Sequence, residues 1–361
     1  MIRTQLAIVG AGPAGLCAAI EAARAGVRVS VFDENRAPGG QLIKQIHKFF
    51  GSKEHKAGIR GIDIGLQLLK EAYDLRVDIR LDTVVWGIFE KNVLGIVQRE
   101  KTDKVVPERV ILATGASENT IAFEGWTLPG VLGAGAAQTM MNLHRVLPGR
   151  RVLMVGSGNV GLIVAYQLLQ AGAAVVAVIE ADRSIGGYSV HASKLRRMGV
   201  PICTSHTILK ALGKGGVEQA VIAGVDDHWK PVPGTERDLE VDTICIATGL
   251  SPLAELAWIA GSRFFYLSEL GGHIPLHKEN LETTVRGLYV AGDITGIEEA
   301  STAMEEGRRA GVEVAHSLGL LDDRETGRLR EEIDARLRDL RRGPFGELRQ
   351  KAKEIIFSKW R

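Results

Sequence analysis

The chain has 361 residues, enough for two domains or one large one with a sizeable core. Charged residues make up 24% and the formal net charge is +2, a balance that points to neither nucleic acid nor a membrane surface as partner. Cys17, Cys203 and Cys245 lie far apart and match no zinc, iron–sulfur or CxxC spacing, so neither a metal site nor a disulfide framework is expected, and a cytoplasmic setting is.

From the first residues, "MIRTQLAIVGAG" enters a strand, without the charged region, apolar region and cleavage site of a signal peptide. Residues 5 to 34, "QLAIVGAGPAGLCAAIEAARAGVRVSVFDE", read as strand, glycine-rich turn, Ala-rich helix closed by Ala-Gly, and a second apolar strand ending in acid. That is a βαβ unit, in which a crossover helix joins two parallel strands. In "GAGPAG", Gly10 permits the tight turn, Gly12 lets a pyrophosphate lie against the backbone, and Gly15 lets the helix pack closely on the strand. Pro13 and Ala14 open the helix whose N-terminus then faces the phosphates. Asp33 is placed to accept both hydroxyls of an adenosine ribose, with Glu34 as the second choice. Lys44 and His47, just after the next glycine pair, are weak candidates for a charge beside a cofactor or substrate, set against a plain solvated segment.

Residues 151 to 182, "RVLMVGSGNVGLIVAYQLLQAGAAVVAVIEAD", repeat the same unit. Gly156, Ser157, Gly158, Asn159, Val160 and Gly161 form the second turn, and Glu180 takes the place of Asp33. Glu180 repels a 2′-phosphate and "ADR" offers only Arg183 against it, so NAD(H) is preferred over NADP(H). Residues 160 to 179 are apolar enough to resemble a membrane span, but Gly172 and the β-branched run after it read as helix, turn and strand. Strand-and-turn signals recur at "RVILATGA" (109 to 116), "TICIATGL" (243 to 250) and "GLYVAGD" (287 to 293). In "AGD", Gly292 and Asp293 are placed to reach a flavin ribityl chain, and a helix beginning near Glu298 to Ser301, with Glu299 and Ala300 at its start, is placed to point its positive end at the ring. A loop Asp that only caps the next helix is the alternative. His273 and His277 are four apart, but their Gly- and Pro-containing context is no helix to align them on a metal.

The expected fold is α/β, with two Rossmann-like three-layer dinucleotide-binding domains, the second inserted in the first, plus a C-terminal helical tail. Residues 1–118 and 245–325 form the first domain, 119–244 the second and 326–361 the tail. In the tail, "FGELRQKAKEIIFSKWR" is a basic amphipathic segment with Phe345, Leu348, Ile355, Ile356 and Trp360 as apolar members. It is read as packing on its own domain or on another subunit, with a membrane surface as the alternative.

"GAGPAG", "APGGQ", "ATGA", "GSGNVG", "IATG" and "AGD" occur in the order that resembles two-domain flavoproteins of the thioredoxin-reductase type, over residues 1 to about 318. The resemblance implies FAD on the first fingerprint, a pyridine nucleotide on the second, and a hydride path between them. By motif match it places Gly40 and Gln41 near the flavin and Ala113, Thr114 and Gly115 along the FAD. It also puts the backbone of Val84 at the adenine and Gly249 at the second nucleotide. Such reductases carry CxxC just before the second fingerprint, where this chain has "GVLGAGAAQ", so disulfide reduction is excluded. "EGWTLPGVLGAGAAQ", "GGHIPLHKENLETTVRGLYVAGD" and "EEGRRAG" are more similar to FAD-bearing subunits of heteromeric amine and amino-acid oxidoreductases. These include sarcosine oxidase α, opine oxidase, dye-linked proline dehydrogenase α and a hydrogen cyanide synthase subunit. That resemblance implies further subunits or an electron-carrier protein as partners, and an oligomer. Two other readings stay open: a stand-alone NADH:acceptor reductase serving ferredoxin, a quinone or a small molecule, and a non-catalytic nucleotide-binding scaffold.

Overall fold

In a computed structural model, residues 1–49 and 53–360 are described, Pro344 and Phe345 as backbone only. The residues form two compact units, Met1–Ser117 with Ser251–Arg361, and Glu118–Leu250. The α/β class, the parallel sheets and the C-terminal helices expected from the sequence are all present.

In the first unit the strand Ile2–Val9 lies between Val29–Phe32 and Lys101–Leu112, parallel to both, and Asp78–Arg80 extends the sheet beyond Val29–Phe32. The apolar run Leu6 to Val9 is buried on both faces, as a central parallel strand requires. Alternate residues serve opposite cores. Leu6 and Ile8 join the cluster under the helices Pro13–Arg24, Gly61–Asp74 and Ala300–Ser317, while Ala7 and Val9 join the cluster on the other face. The long strand Lys101–Leu112 changes partners along its length. Its first half pairs antiparallel with Leu94–Gln98, and its last three residues pair parallel with Leu288–Val290. The later chain is thereby stitched into the same sheet, with Lys101–Leu112 between it and the fingerprint strand.

The second unit repeats this plan. Strands Ile202–Cys203, Ala174–Ile179, Arg151–Val155, Thr243–Ile246 and Val131–Gly133 form a parallel sheet in that order. An antiparallel meander of His206–Leu212, Gln219–Gly224 and Arg237–Glu240 accompanies it. Residues 160 to 179 resolve as expected into the helix Asn159–Gln170, a turn at Gly172 and a strand. Among the described residues, no helix is long and apolar enough to cross a membrane.

The sequence "EEGRRAG" has a packing reason. A side chain on Gly307 would stand 2.1 Å from the Ala14 carbonyl oxygen, and one on Gly311 2.4 Å from that of Ala18. Two glycines four apart therefore let the helix Ala300–Ser317 lie against two alanines four apart on the first fingerprint helix.

The tail packs on the first unit as two helices. Asp323–Leu340 is capped by Asp322, whose carboxylate accepts from the Glu325 N–H. It is tied to Ala300–Ser317 by the pairs Arg330–Glu313, Arg336–Glu305 and Arg309–Asp334, around an apolar patch of Val312, Ile333 and Leu337. Pro344–Trp360 buries Ala352 and Ile356 against Leu270, Ile274 and Leu276, with Trp360 at the edge, and leaves Leu348 and Ile355 exposed. His277 lies in this region, fully buried, with Nδ1 2.7 Å from the Pro275 carbonyl oxygen. Burial, and then the nearby Lys353, push its imidazole down to about 4. A depressed pKa means that its contribution is present above the unfolded value of 6.5 and is lost as pH falls toward 4. The loss amounts to about 3 kcal/mol at 1.36 kcal/mol per unit. In urea unfolding, His277→Asn is expected to lose that much less stability between neutral pH and pH 4 than the native chain.

Candidate functional sites: two matching cradles

Each unit folds its glycine-rich turn in the same way. Gly10 and Gly156 have φ of +105° and +104°, and their N–H groups each donate at 2.8 Å to the last residue of the neighbouring strand, Phe32 or Ile179. Added Cβ atoms there would stand 2.3 Å from the Ala113 oxygen and 2.2 Å from the Ala247 oxygen, so both turns demand glycine. Gly15 and Gly161 press against the Gly10 and Gly156 oxygens, which brings each helix onto its strand. At Gly12 and Gly158 the opposite holds. A Cβ on Gly12 would meet only the Gly40 Cα, at 3.9 Å, and one on Gly158 would meet nothing within 4 Å. Glycine at these two places clears space rather than filling a tight contact. A dinucleotide pyrophosphate, laid over the helix N-terminus, fits that opening.

The acids match as well. Asp33 is buried; its Oδ2 accepts from the Ala11 N–H at 2.6 Å and its Oδ1 from the Asn35 N–H at 2.8 Å. Glu180 accepts from the Ser157 N–H at 2.8 Å and the Ser157 hydroxyl at 2.7 Å. Ala11 and Ser157 both lie between the first two glycines of their turns, so each acid braces its own loop from the edge where a ribose would sit. Glu34 is exposed beside Asp33.

A contact not expected from the sequence completes the likeness. The Gly39 N–H donates to the Ala11 oxygen at 2.7 Å, and the Gly187 N–H donates to the Ser157 oxygen at 2.9 Å. Gly39-Gly40 and Gly186-Gly187 stand at the same distance after their acids, and that equal spacing was the available signal. Gly40 sits against Gly12, where its own Cβ would be 2.8 Å from the Gly12 Cα. Asn159 Oδ1 accepts from the Tyr188 N–H at 2.8 Å, and Val160 beside it is exposed.

Of the remaining expected residues of the first unit, some lie against the cradle and others do not. The Thr83 N–H donates to the Asp33 backbone oxygen at 2.9 Å, which brings Val84 near Asp33. Ala113 follows directly on the strand, the Thr114 hydroxyl donates to the Leu253 oxygen at 2.5 Å, and Gly115 accepts from the Leu253 N–H at 3.0 Å. Gly292, with φ +78°, lies where a Cβ would stand 2.8 Å from Ala14 Cβ, so the "AGD" turn Gly292–Thr295 touches the fingerprint helix. Burial pushes the Asp293 carboxyl up to about 7 against the Glu298 N–H, which holds it down. Glu299 is the N-cap of Ala300–Ser317, and Ala300 is its first residue. Gln41 is exposed, Lys44 ends the short helix Gly40–Lys44, and His47 stacks on Phe49 at 6.0 Å.

In the second unit an open pocket of about 430 Å³ adjoins Glu180, lined among others by Asp182, Arg183, Asp227 and the exposed Trp229. Arg183 is ion-paired with Asp227. Gly249, φ +121°, lies across from Asn119, whose N–H donates to the Gly249 oxygen at 3.0 Å. The helix Ala134–Asn142 begins under a carboxylate. Glu118 Oε1 accepts from the Gly135 N–H at 2.6 Å, and a Cβ on Gly133 would collide with Glu118 Oε2 at 2.3 Å. The three cysteines are free thiols. Burial raises Cys17 to about 11 and Cys245 to about 12, which keeps both protonated at neutral pH.

Known proteins resemble the chain in sequence and in fold. An opine oxidase subunit from Agrobacterium tumefaciens strain Ach5 is 31% identical over 341 residues, 88% of this chain and 66% of the relative. The chain thus spans slightly under two thirds of that protein. Hydrogen cyanide synthase subunit HcnB of Pseudomonas aeruginosa is 27% identical over 363 residues, 93% of this chain and 76% of the relative. Thioredoxin reductase from T. acidophilum shares the fold, with a TM-score of 0.73 and 21% identity over 88% of this chain and 99% of its own. The family profile for pyridine nucleotide-disulphide oxidoreductases matches residues 4–307, both cradles included, and the chain belongs to that family.

Proposed function

We propose that the chain is the FAD-bearing subunit of a heteromeric dehydrogenase acting on an amine or amino acid, with NAD(H) as its second nucleotide. The observation that carries this is the pair of complete, matching cradles in a chain that has no dithiol to pass electrons onward. A bound FAD supplies two-electron redox chemistry in the first unit. The chain's own residues do the holding. Gly12 and Gly40 clear the pyrophosphate path, Asp33 meets the adenosine ribose, and Asp293 meets the ribityl chain. In the second unit Gly158 clears the corresponding path and Glu180 takes the ribose. Likeness to subunits of opine oxidase and hydrogen cyanide synthase supports a partner that holds the substrate or the next carrier.

The intact second cradle also favours a second reading, a stand-alone NADH:acceptor reductase. One experiment separates them. The purified, FAD-loaded chain is mixed with NADH, then NADPH, without oxygen, and the visible flavin band is followed. Bleaching by NADH followed by steady turnover with an artificial acceptor supports the stand-alone enzyme. Bleaching without turnover on any acceptor, restored by a co-purifying protein, supports the heteromeric reading. Nucleotide binding with no bleaching would sink both and leave a nucleotide-binding scaffold.

A further inference from the structure

The "AGD" turn is gripped from beneath by Glu306, and Glu306 is gripped by the tail. One carboxylate oxygen, Oε2, accepts from the Gly292 N–H at 3.1 Å and from the Thr295 hydroxyl at 2.7 Å. The other, Oε1, accepts from Lys353 Nζ and from an Arg341 guanidinium N–H, both at 2.7 Å. Lys353 also donates to the Thr295 hydroxyl, and Arg341 makes two bonds to Glu298, at 2.6 and 2.9 Å. Lys353 is 1% exposed and Glu306 4%, so these are charges fully withdrawn from water. Both carboxylates lie within residues 4–307, the segment the family profile matches, whereas both cations lie beyond it.

Stability alone is a poor account of this cluster. Buried ion pairs return roughly what their desolvation costs, whereas removing one member strands a charge. What such a cluster does provide is one fixed arrangement of the groups it holds. The groups held here are the N–H of Gly292 and the hydroxyl of Thr295, on either side of Asp293, at the entrance to the helix Ala300–Ser317.

We propose that the tail is part of the flavin site, with Lys353 and Arg341 as positioning residues that fix the Gly292–Thr295 turn through Glu306. This rests on the reading that the first cradle holds FAD. Lys353 and Arg341 touch none of the groups expected to meet the cofactor except through Glu306 and Thr295. Their effect therefore reaches the cofactor as geometry and as two positive charges that balance Glu306 and Glu298 beneath the turn, so that removing one leaves a negative excess there.

The test uses the full chain with Lys353→Met, Lys353→Arg and Ile356→Ala. FAD affinity is read by flavin fluorescence, flavin potential by dye equilibration, and thermal unfolding on the apo-protein. Lys353→Met is expected to weaken FAD binding about tenfold, the worth of one charge-assisted hydrogen bond, and to move the flavin potential to more negative values. Lys353→Arg, keeping the charge, should restore most of both. Ile356→Ala loosens the tail through its apolar contact alone and should lower the melting temperature while leaving affinity and potential at native values. Native affinity and potential in Lys353→Met would overturn the proposal. So would equal shifts in Lys353→Met and Ile356→Ala at matched loss of melting temperature. If Lys353→Met does not fold, Thr295→Val takes its place, and native FAD affinity and potential in that variant would overturn the proposal equally. Failure of the native chain to bind FAD at all would instead refute the reading of the first cradle.

Discussion

Gly158→Ala is expected to slow reduction of the bound flavin by NADH at least about a hundredfold, the scale of effect that a misplacement of about 1 Å produces. FAD content and melting temperature should stay at native values. The reasoning rests on the empty space around Gly158, where a methyl group meets no protein atom within 4 Å. The methyl would occupy the path of the nucleotide pyrophosphate and cost the fold nothing. Gly156→Ala makes the contrast. Its methyl would stand 2.2 Å from the Ala247 oxygen on a backbone with φ +104°, so that variant should lose the folded second unit. Stopped-flow bleaching, with circular dichroism on both proteins, separates the two effects. A native bleaching rate in Gly158→Ala would mean that the second cradle does not hold the reductant.

The nucleotide preference should be reversible by two substitutions. If the second cradle takes its nucleotide as proposed, Glu180 lies at the ribose and its charge opposes a 2′-phosphate, while Arg183, the nearest cation in sequence, is held by Asp227. Glu180→Gln removes the repulsion while an amide oxygen still accepts from the Ser157 N–H. Asp227→Ala releases Arg183 toward the pocket, where a guanidinium can take a phosphate in bidentate fashion. Together they are expected to shift the ratio of kcat/KM for NADPH over NADH by about a hundredfold, or ~2.7 kcal/mol at 1.36 kcal/mol per decade. Asp227→Ala alone, with Glu180 in place, should give a smaller change. An unchanged ratio in the double variant would place the ribose elsewhere.

Both βαβ units, their glycines and their acids were legible because each rests on local rules. A turn that needs positive φ, a helix that must close on its strand and an acid ending the second strand all leave marks within about thirty residues. Gly186-Gly187 left a mark too, at the spacing already set by Gly39-Gly40. The Glu118 carboxylate on the start of Ala134–Asn142 left none that could be used alone, since a single acid next to a glycine-rich stretch has many possible partners. Likewise the tail read as a basic amphipathic helix. Its pattern showed which residues are apolar, but nothing local reveals that Lys353 turns inward. That orientation depends on Glu298 and Glu306, which are distant from Lys353 in sequence and meet it only when the tail folds back on the start of Ala300–Ser317.

That late pairing also imposes a timetable on synthesis. The second unit is continuous, residues 118 to 250, and can close as soon as it clears the ribosome. The first unit cannot. Its opening 117 residues wait, with one side of the strand end Val110 to Leu112 unpaired, until Leu288–Val290 is made, and Glu306 waits longer still for Arg341 and Lys353. The first cradle is therefore begun first and finished last, and a nascent chain should acquire its flavin only after the tail helix has been delivered.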